Sequence, residues 1–167
     1  YDKLEGQSKD GSYIAYLNKK VGVIDCDGKE IIPFEYVYMK KWLQPFGDQK
    51  GFYVVTKKQQ TVFGMDENKK EVINDWGVIN EYNKTIIPLE YGYVRVIDSN
   101  LIVARKDRDT ILHFFSNKGK LLFKESGNAV MTGFDKNTIQ ISRRKKQDKM
   151  MYKSGKEILP KDYGFCF

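Results

Sequence analysis

The sequence predicts an all-β protein: tandem antiparallel β-hairpin repeats in an elongated array, with a small β-propeller-like ring as the alternative. The first observation is composition, because eleven Tyr and ten Phe favour strands. The second is internal repetition. Residues 21–36 read VGVIDCDGKEIIPFEY and residues 76–91 read WGVINEYNKTIIPLEY, with nine identities in an ungapped alignment. A hairpin cannot bury its apolar face alone, so repeated hairpins are expected to stack and share a core.

Five copies of a first hairpin follow from this alignment. Each has an apolar strand, a polar turn that ends in lysine, and a second apolar strand. The turn lysines are Lys29, Lys70, Lys84, Lys120 and Lys156, at intervals of 41, 14, 36 and 36 residues. The predicted first hairpins lie near 21–33, 62–74, 76–88, 112–123 and 149–160, within one repeat-array domain that spans 1–167. The 36- to 41-residue intervals also suit a propeller blade, whereas the 14-residue step does not.

The turns and strand ends of these copies have physical signatures. Glycine or asparagine next to the turn lysine tolerates the positive φ that tight hairpin turns require. Pro33, Pro88 and Pro160 lack an N–H for a ladder, so the strand is expected to end there. The tyrosines that follow, Tyr36, Tyr91 and Tyr163, are expected to pack against the neighbouring unit.

A second hairpin is predicted after each of these tyrosines. One reads YVRVI and LIVAR around a turn at 98–100, and another reads AVMTGF and TIQIS around a turn at 135–137. The strict alternation of residues 138–142 predicts a strand with one buried face. The opening residues 1–17 look like the same second hairpin of a unit whose first half is absent.

The repeated unit, G-V-I-D-x-x-G-K-x-I-I-P-x-x-Y, resembles the WG-repeat family, also called KWG repeats, which is common in bacterial proteins. The resemblance covers about 21–163 and is strongest at 22–36 and 76–91. The signature Trp-Gly pair is retained at Trp76-Gly77, while Val21-Gly22 and Leu112-His113 replace it elsewhere. The resemblance implies a β-repeat interaction or scaffold module, often exported or attached to the cell envelope, and it transfers no catalytic residue.

No constellation of residues predicts catalysis, a cofactor or a metal. His113 is the sole histidine and falls at the glycine position of its repeat, inside an apolar strand, so a packed structural role is expected. Asp25, Asp27 and Glu30 around Cys26 lack the spacing of an EF-hand loop and are interpreted as a hairpin turn. Two cysteines do not make a disulfide framework, although they leave a single bridge open.

The net charge of the chain and the length of its apolar runs limit the classes of partner that it can bind. The net charge of +7 permits contact with nucleic acid, anionic lipid or an acidic protein, and it also keeps β-strand edges from associating. No apolar run approaches the ~20 residues of a membrane-spanning helix. Because the chain starts at Tyr1 instead of methionine, we expect that sequence precedes it, either a signal peptide or another segment.

The candidate partner contacts lie in two places. The segment 40–51 is interpreted as a long loop with Trp42 and Phe46, and tryptophan on a loop is a frequent protein-contact anchor; packing over the repeat stack is the competing interpretation. The densest basic run is Arg143, Arg144, Lys145 and Lys146.

These residues suggest two functions. The first is a non-enzymatic binding or scaffold module that presents a repeated β-surface to a protein or cell-envelope partner. The alternative is a degenerate enzyme, or a basic nucleic-acid-binding protein that uses the 143–146 run, with nucleic acid the less favoured partner.

Overall fold

The protein is a stack of antiparallel sheets. Its structure, a computed structural model, describes residues 1–7, 11–42, 51–58, 75–107, 109–126, 129–134, 137–143 and 146–158, with backbone alone at 7, 129–134, 142–143 and 146–148. Among these residues, all of the elements are β-strands and none is an α-helix, which confirms the all-β prediction. The described residues contain no helix with the length and apolar character needed to cross a membrane.

The first two sheets each have four strands that pair in chain order. Sheet A contains β1 (Lys3–Gln7), β2 (Tyr13–Leu17), β3 (Lys20–Ile24) and β4 (Glu30–Tyr36). Sheet B contains β5 (Tyr38–Trp42), β6 (Phe52–Thr56), β7 (Trp76–Asn80) and β8 (Thr85–Tyr91).

The last two sheets follow the same plan. Sheet C contains β9 (Tyr93–Asp98), β10 (Leu101–Arg105), β11 (Leu112–Ser116) and β12 (Leu121–Glu125). Sheet D contains β13 (Ala129–Phe134), β14 (Thr138–Arg143) and β15 (Lys146–Tyr152). Each sheet therefore joins the second hairpin of one unit to the first hairpin of the next, and the opening hairpin forms as predicted.

Consecutive sheets are connected by very short links. Val37 alone separates β4 from β5, and Gly92 alone separates β8 from β9. In a propeller, the chain must cross a blade between its outer and inner strands, about 14 Å for three strand spacings. One intervening residue spans at most about 7.6 Å, so the ring alternative does not fit these connections.

Three hydrophobic clusters join the sheets in chain order. Val23 and Ile32 of sheet A pack with Val55 and Ile79 of sheet B. Sheet B joins sheet C through a cluster that includes Val78, Ile87, Ile102 and Ala104, and sheet C joins sheet D through one that includes Leu101, Phe114, Ile139 and Ile141. Each pair of neighbouring sheets therefore shares a hydrophobic core, as the repeat predicts.

The predicted hairpin turns have one geometry in four copies. In the first, the Asp25 N–H donates to the Lys29 carbonyl (2.9 Å) and the Gly28 N–H donates to the Asp25 carbonyl (3.1 Å). The same pair of bonds recurs in the other three turns, and the residue before the turn lysine has positive φ in all four: Gly28, Asn83, Gly119 and Gly155. The side chain of Asp25 accepts the N–H of Asp27 and Lys29, which accounts for this acidic turn.

The expectation that proline ends the strand is wrong. Pro33 lies in the middle of β4, which continues to Tyr36. Val23 pairs with Ile32 and Val21 pairs with Tyr36, so three residues of β4 bulge opposite Gly22. A bulge on an edge strand leaves an N–H unpaired, and proline is suited to that position. Pro88 in β8 occupies the same kind of bulge, opposite Gly77.

This bulge explains the signature glycine. A Cβ at Gly22 would lie 2.5 Å from the Ile32 carbonyl oxygen, and one at Gly77 would lie 2.6 Å from that of Ile87. In sheet C the pairing is regular here, with His113 opposite Lys124 and Leu112 opposite Glu125. Where the proline bulge is lost, a side chain therefore fits.

Several predicted features lie outside the described residues. These are the copy at 62–74 with its Lys70, the pair Pro160 and Tyr163, and Cys166. The strands β6 and β7, which flank residues 59–74 in the sequence, pair directly with each other. The copy at 62–74 stays a prediction.

Candidate binding groove

Sheets B and C leave a groove of about 780 Å³ between them. One wall is sheet B, which contributes Tyr38, Lys40, Lys41, Trp42, Val54 and Trp76. The other wall is β9, from which every residue between Gly92 and Ile97 lines the groove. A volume of this size lies in the range of ligand-binding pockets.

The sheet B wall follows from strand alternation. Met39 of β5 is buried in the cluster with sheet A, so its neighbours Tyr38 and Lys40 project to the opposite face, toward sheet C. Trp42 lies two residues further along and packs against the cluster between sheets B and C. Both tryptophans of the chain, Trp42 and Trp76, line this one groove.

Aromatic contacts hold the side chains of the groove in place. The rings of Tyr38 and Trp76 meet edge to face, with centroids 5.2 Å apart. The guanidinium of Arg105 lies over the ring of Tyr93 at 5.9 Å. Tyr38 and Tyr93 nevertheless remain 44% and 39% exposed, so both offer surface to a ligand.

The charge of the groove is of one sign. Lys40, Lys41 and Arg95 line it, and none of the twelve described residues that line it is acidic. Asp107 lies against Gly92 at one end of the β9 stretch. The groove therefore presents aromatic surface and positive charge together.

The β9 wall is a strand edge. Among the residues that the structure describes, β9 pairs only with β10 and forms the outer strand of sheet C. Side chains that face one way would line a groove at every second residue, whereas here five consecutive residues of β9, Tyr93 to Ile97, do so. The groove thus follows the main chain of the edge, where alternate N–H and C=O groups point away from the sheet.

The structure describes some of the predicted contact residues and not others. Trp42 is the last residue of strand β5, so the described part of the segment 40–51 corrects the loop interpretation at that residue. Phe46 lies outside the described residues. Arg143 is the last residue of β14 and pairs with Lys146, the first residue of β15. Arg144 and Lys145 lie outside the described residues.

His113 is buried in the interior between sheets B and C, as expected for a packed histidine. Its ring contacts those of Tyr91 (5.9 Å) and Phe115 (6.2 Å), both edge to face. Burial, with a smaller contribution from the nearby Lys124, lowers the pKa of its imidazole. The burial of Tyr91 likewise raises the pKa of that phenol.

The tyrosines of the repeat divide into two roles. Tyr36 and Tyr91 are buried and pack against the next sheet, as predicted. Two residues later, Tyr38 and Tyr93 are exposed in the groove, and each is followed at the second position by a cation, Lys40 or Arg95. This repeated Tyr-x-Lys/Arg pattern is the sequence signal for the groove, because aromatic residues that recur at repeat spacing are not all in the core.

Comparison with known proteins identifies the repeat. The family described as WG containing repeat matches residues 22–59 and 76–108, and no curated protein matches the chain. Each match begins in the third strand of one sheet and ends after the second strand of the next, so a sequence repeat spans half of two sheets. All twelve residues that line the groove lie in these two segments. The matches at residues 22–59 and 76–108 therefore confirm the resemblance to the WG-repeat family.

Proposed function

We propose that this chain is a non-enzymatic binding module and that the groove between sheets B and C holds its protein or cell-envelope partner. The observation that carries the proposal is the convergence of both tryptophans, two exposed tyrosines and three cations on one concave surface. Trp, Tyr and Arg are the residue types that contribute most to binding energy at protein interfaces. A family of repeat modules is consistent with such a role.

The non-enzymatic part of the proposal rests on His113. General acid–base chemistry requires a group within hydrogen-bonding reach of a substrate, but this imidazole is packed between two aromatic rings. The groove residues themselves are aromatic, aliphatic or cationic, a composition that favours binding over proton transfer.

The test is capture from a lysate of the source organism on the immobilised chain, with quantitative mass spectrometry. A Tyr38→Ala, Trp42→Ala double variant removes aromatic surface from the groove. Tyr82→Ala is the matched control, because Tyr82 is 79% exposed on the β7–β8 turn and does not line the groove.

At least one protein or envelope component is expected on the wild-type chain and on the Tyr82 control, and to be reduced more than tenfold on the double variant. Once that partner is purified, Trp42→Ala alone is expected to cost more than ~1 kcal/mol of binding free energy. His113→Gly, if the variant is folded, is expected to change affinity by less than about twofold. Equal capture by the double variant would show that the groove is not the site.

A further inference from the structure

We propose that the groove takes an acidic peptide segment of the partner in extended conformation, added as a fifth strand to the edge of β9. This inference rests on the proposed function and specifies its ligand. Strand addition supplies main-chain hydrogen bonds from the edge, and side-chain pockets at every second residue supply specificity.

The shape of the groove supports strand addition. Five consecutive residues of β9, Tyr93 to Ile97, line it, and a peptide paired along them would extend for about five residues at about 3.3 Å each. β9 lies across β6 and β7, so one face of an added strand would meet the aromatic and aliphatic side chains of sheet B. The other face would look away from it.

The charge of the groove selects an acidic segment. Lys40 and Arg95 are exposed on opposite walls, and no acidic side chain is among the described residues that line the space between them. A peptide with apolar residues at alternate positions would bury them against Trp42, Val54 and Trp76. Carboxylates at the intervening positions would face away from sheet B, on the side to which strand alternation with the buried Ile97 directs Arg95.

The same observations disfavour a single-stranded nucleic acid. Such ligands bind by stacking bases on open aromatic faces. Here Tyr38 and Trp76 pack against each other edge to face, and Arg105 covers one face of Tyr93. A peptide backbone needs the strand edge and only the margins of these rings.

The first experiment selects binders from a phage-displayed library of linear nine-residue peptides on the folded chain. The enriched peptides are expected to contain Asp or Glu alternating with apolar residues. The best peptide is then synthesised and its Kd measured by fluorescence anisotropy. Enrichment of neutral or basic sequences, or of none, would overturn the proposal.

Backbone methylation tests the strand geometry. An added strand directs alternate N–H groups toward the edge, so N-methylation at one set of alternate residues is expected to weaken binding more than tenfold. Methylation at the other set is expected to change it less than about twofold. Equal effects at both sets would rule out strand addition.

Charge reversal tests the site. Arg95→Glu is expected to weaken the peptide more than fivefold. Lys84→Glu, the control, makes the same change in net charge at an exposed turn outside the groove and is expected to have less than a twofold effect. Equal weakening by both variants would show attraction to the whole molecule and contradict the site.

Two further outcomes separate this inference from the proposed function. A nine-residue oligothymidylate that displaces the peptide at lower concentration would assign the groove to nucleic acid and overturn the peptide. If no peptide binds while the Tyr38, Trp42 double variant still loses its lysate partner, the groove stands as a binding site and the extended acidic ligand is rejected.

Discussion

At the scale of the residue, the signature glycine has a steric cause. Because Gly77 faces the Ile87 carbonyl at a proline bulge, Gly77→Ala is expected to lower the free energy of unfolding by about 1–3 kcal/mol through overpacking. Urea unfolding followed by circular dichroism measures this. The control is Gly51→Ala: Gly51 is also buried, but a Cβ there meets neighbours only at 3.4 Å or more, so a change under about 0.5 kcal/mol is expected. Equal losses would refute the steric account.

His113 carries the pH dependence that can be assigned to one residue. Its pKa in the folded chain is lowered below 6.5 by burial, so the unfolded chain binds the proton more readily. Stability contributed by neutral His113 is therefore present above pH 6.5 and is lost as the pH falls toward the lowered pKa.

Urea titrations at pH 7.5 and pH 5.5 measure this effect. The wild-type chain is expected to lose more stability over that interval than His113→Phe, which keeps an aromatic ring beside Tyr91 and cannot titrate. Other groups that titrate in this range contribute equally to both proteins. An identical pH dependence in the two proteins would mean that the imidazole protonates without cost.

Prediction from sequence succeeded for residues whose constraint is local. A turn that needs positive φ restricts the residue at that position directly, so Gly28 and Asn83 could be identified from the letters alone. The prediction that proline ends the strand failed because a bulge and a strand end both leave a backbone N–H unpaired, so proline suits either position. In the copy in sheet C, His113 replaces the repeat glycine and Lys124 replaces the repeat proline. This joint replacement indicates that the glycine and the proline belong to one bulge.

At the scale of the element, consecutive sheets are linked by hydrogen bonds in addition to apolar contacts. The Tyr36 hydroxyl at the end of β4 donates to the Asn83 side chain (2.8 Å) in the β7–β8 turn of the next sheet. Burial raises the pKa of this phenol, with the nearby Glu35 adding to the effect, so it stays a donor at physiological pH. The turn residue of one sheet thus fixes the last strand of the sheet before it.

A double-mutant cycle can isolate this link. Tyr36→Phe removes the donor, and Asn83→Gly removes the acceptor while suiting the positive φ of the turn. The expected coupling free energy is about 0.5–1.5 kcal/mol, the net contribution of one hydrogen bond, from urea unfolding of the four proteins. Additive effects of the two substitutions would indicate that the bond contributes nothing in solution.

The groove is an element-scale feature, and this is why sequence reasoning missed most of it. Its walls come from residues 38, 40–42, 54, 76 and 92–97, which only the packing of β9 across sheet B brings together. Trp42 was singled out because it was interpreted as a tryptophan on a long loop, a frequent protein-contact anchor. Tyr38, Tyr93 and Arg95 were not, because a repeated residue was taken to serve the core.

At the scale of the whole molecule, the sheets follow a regular plan that the sequence intervals obscure. Turn lysines lie 36 residues apart between sheets B, C and D, but 55 residues separate Lys29 from Lys84. Most of the additional residues fall between β6 and β7, and the rest fall between β5 and β6. The strands β6 and β7 pair directly, as β2 pairs with β3 in sheet A. Thr56 opposite Trp76 corresponds to Tyr16 opposite Val21, and in sheet A the chain reverses there through Asn18 and Lys19.

We therefore expect that residues 57–75 can be replaced by the sequence of residues 17–20 without loss of the fold. Among the described residues, the variant loses two ion pairs near the surface, Lys57 with Glu35 and Lys58 with Asp75, and such pairs contribute little to stability. Its shorter turn has a lower entropic cost of loop closure. The unfolding free energy is expected to stay within about 1 kcal/mol of the wild type, with an unchanged far-ultraviolet spectrum. A broadened or non-cooperative transition would show that the copy predicted at 62–74 is an integral part of the array.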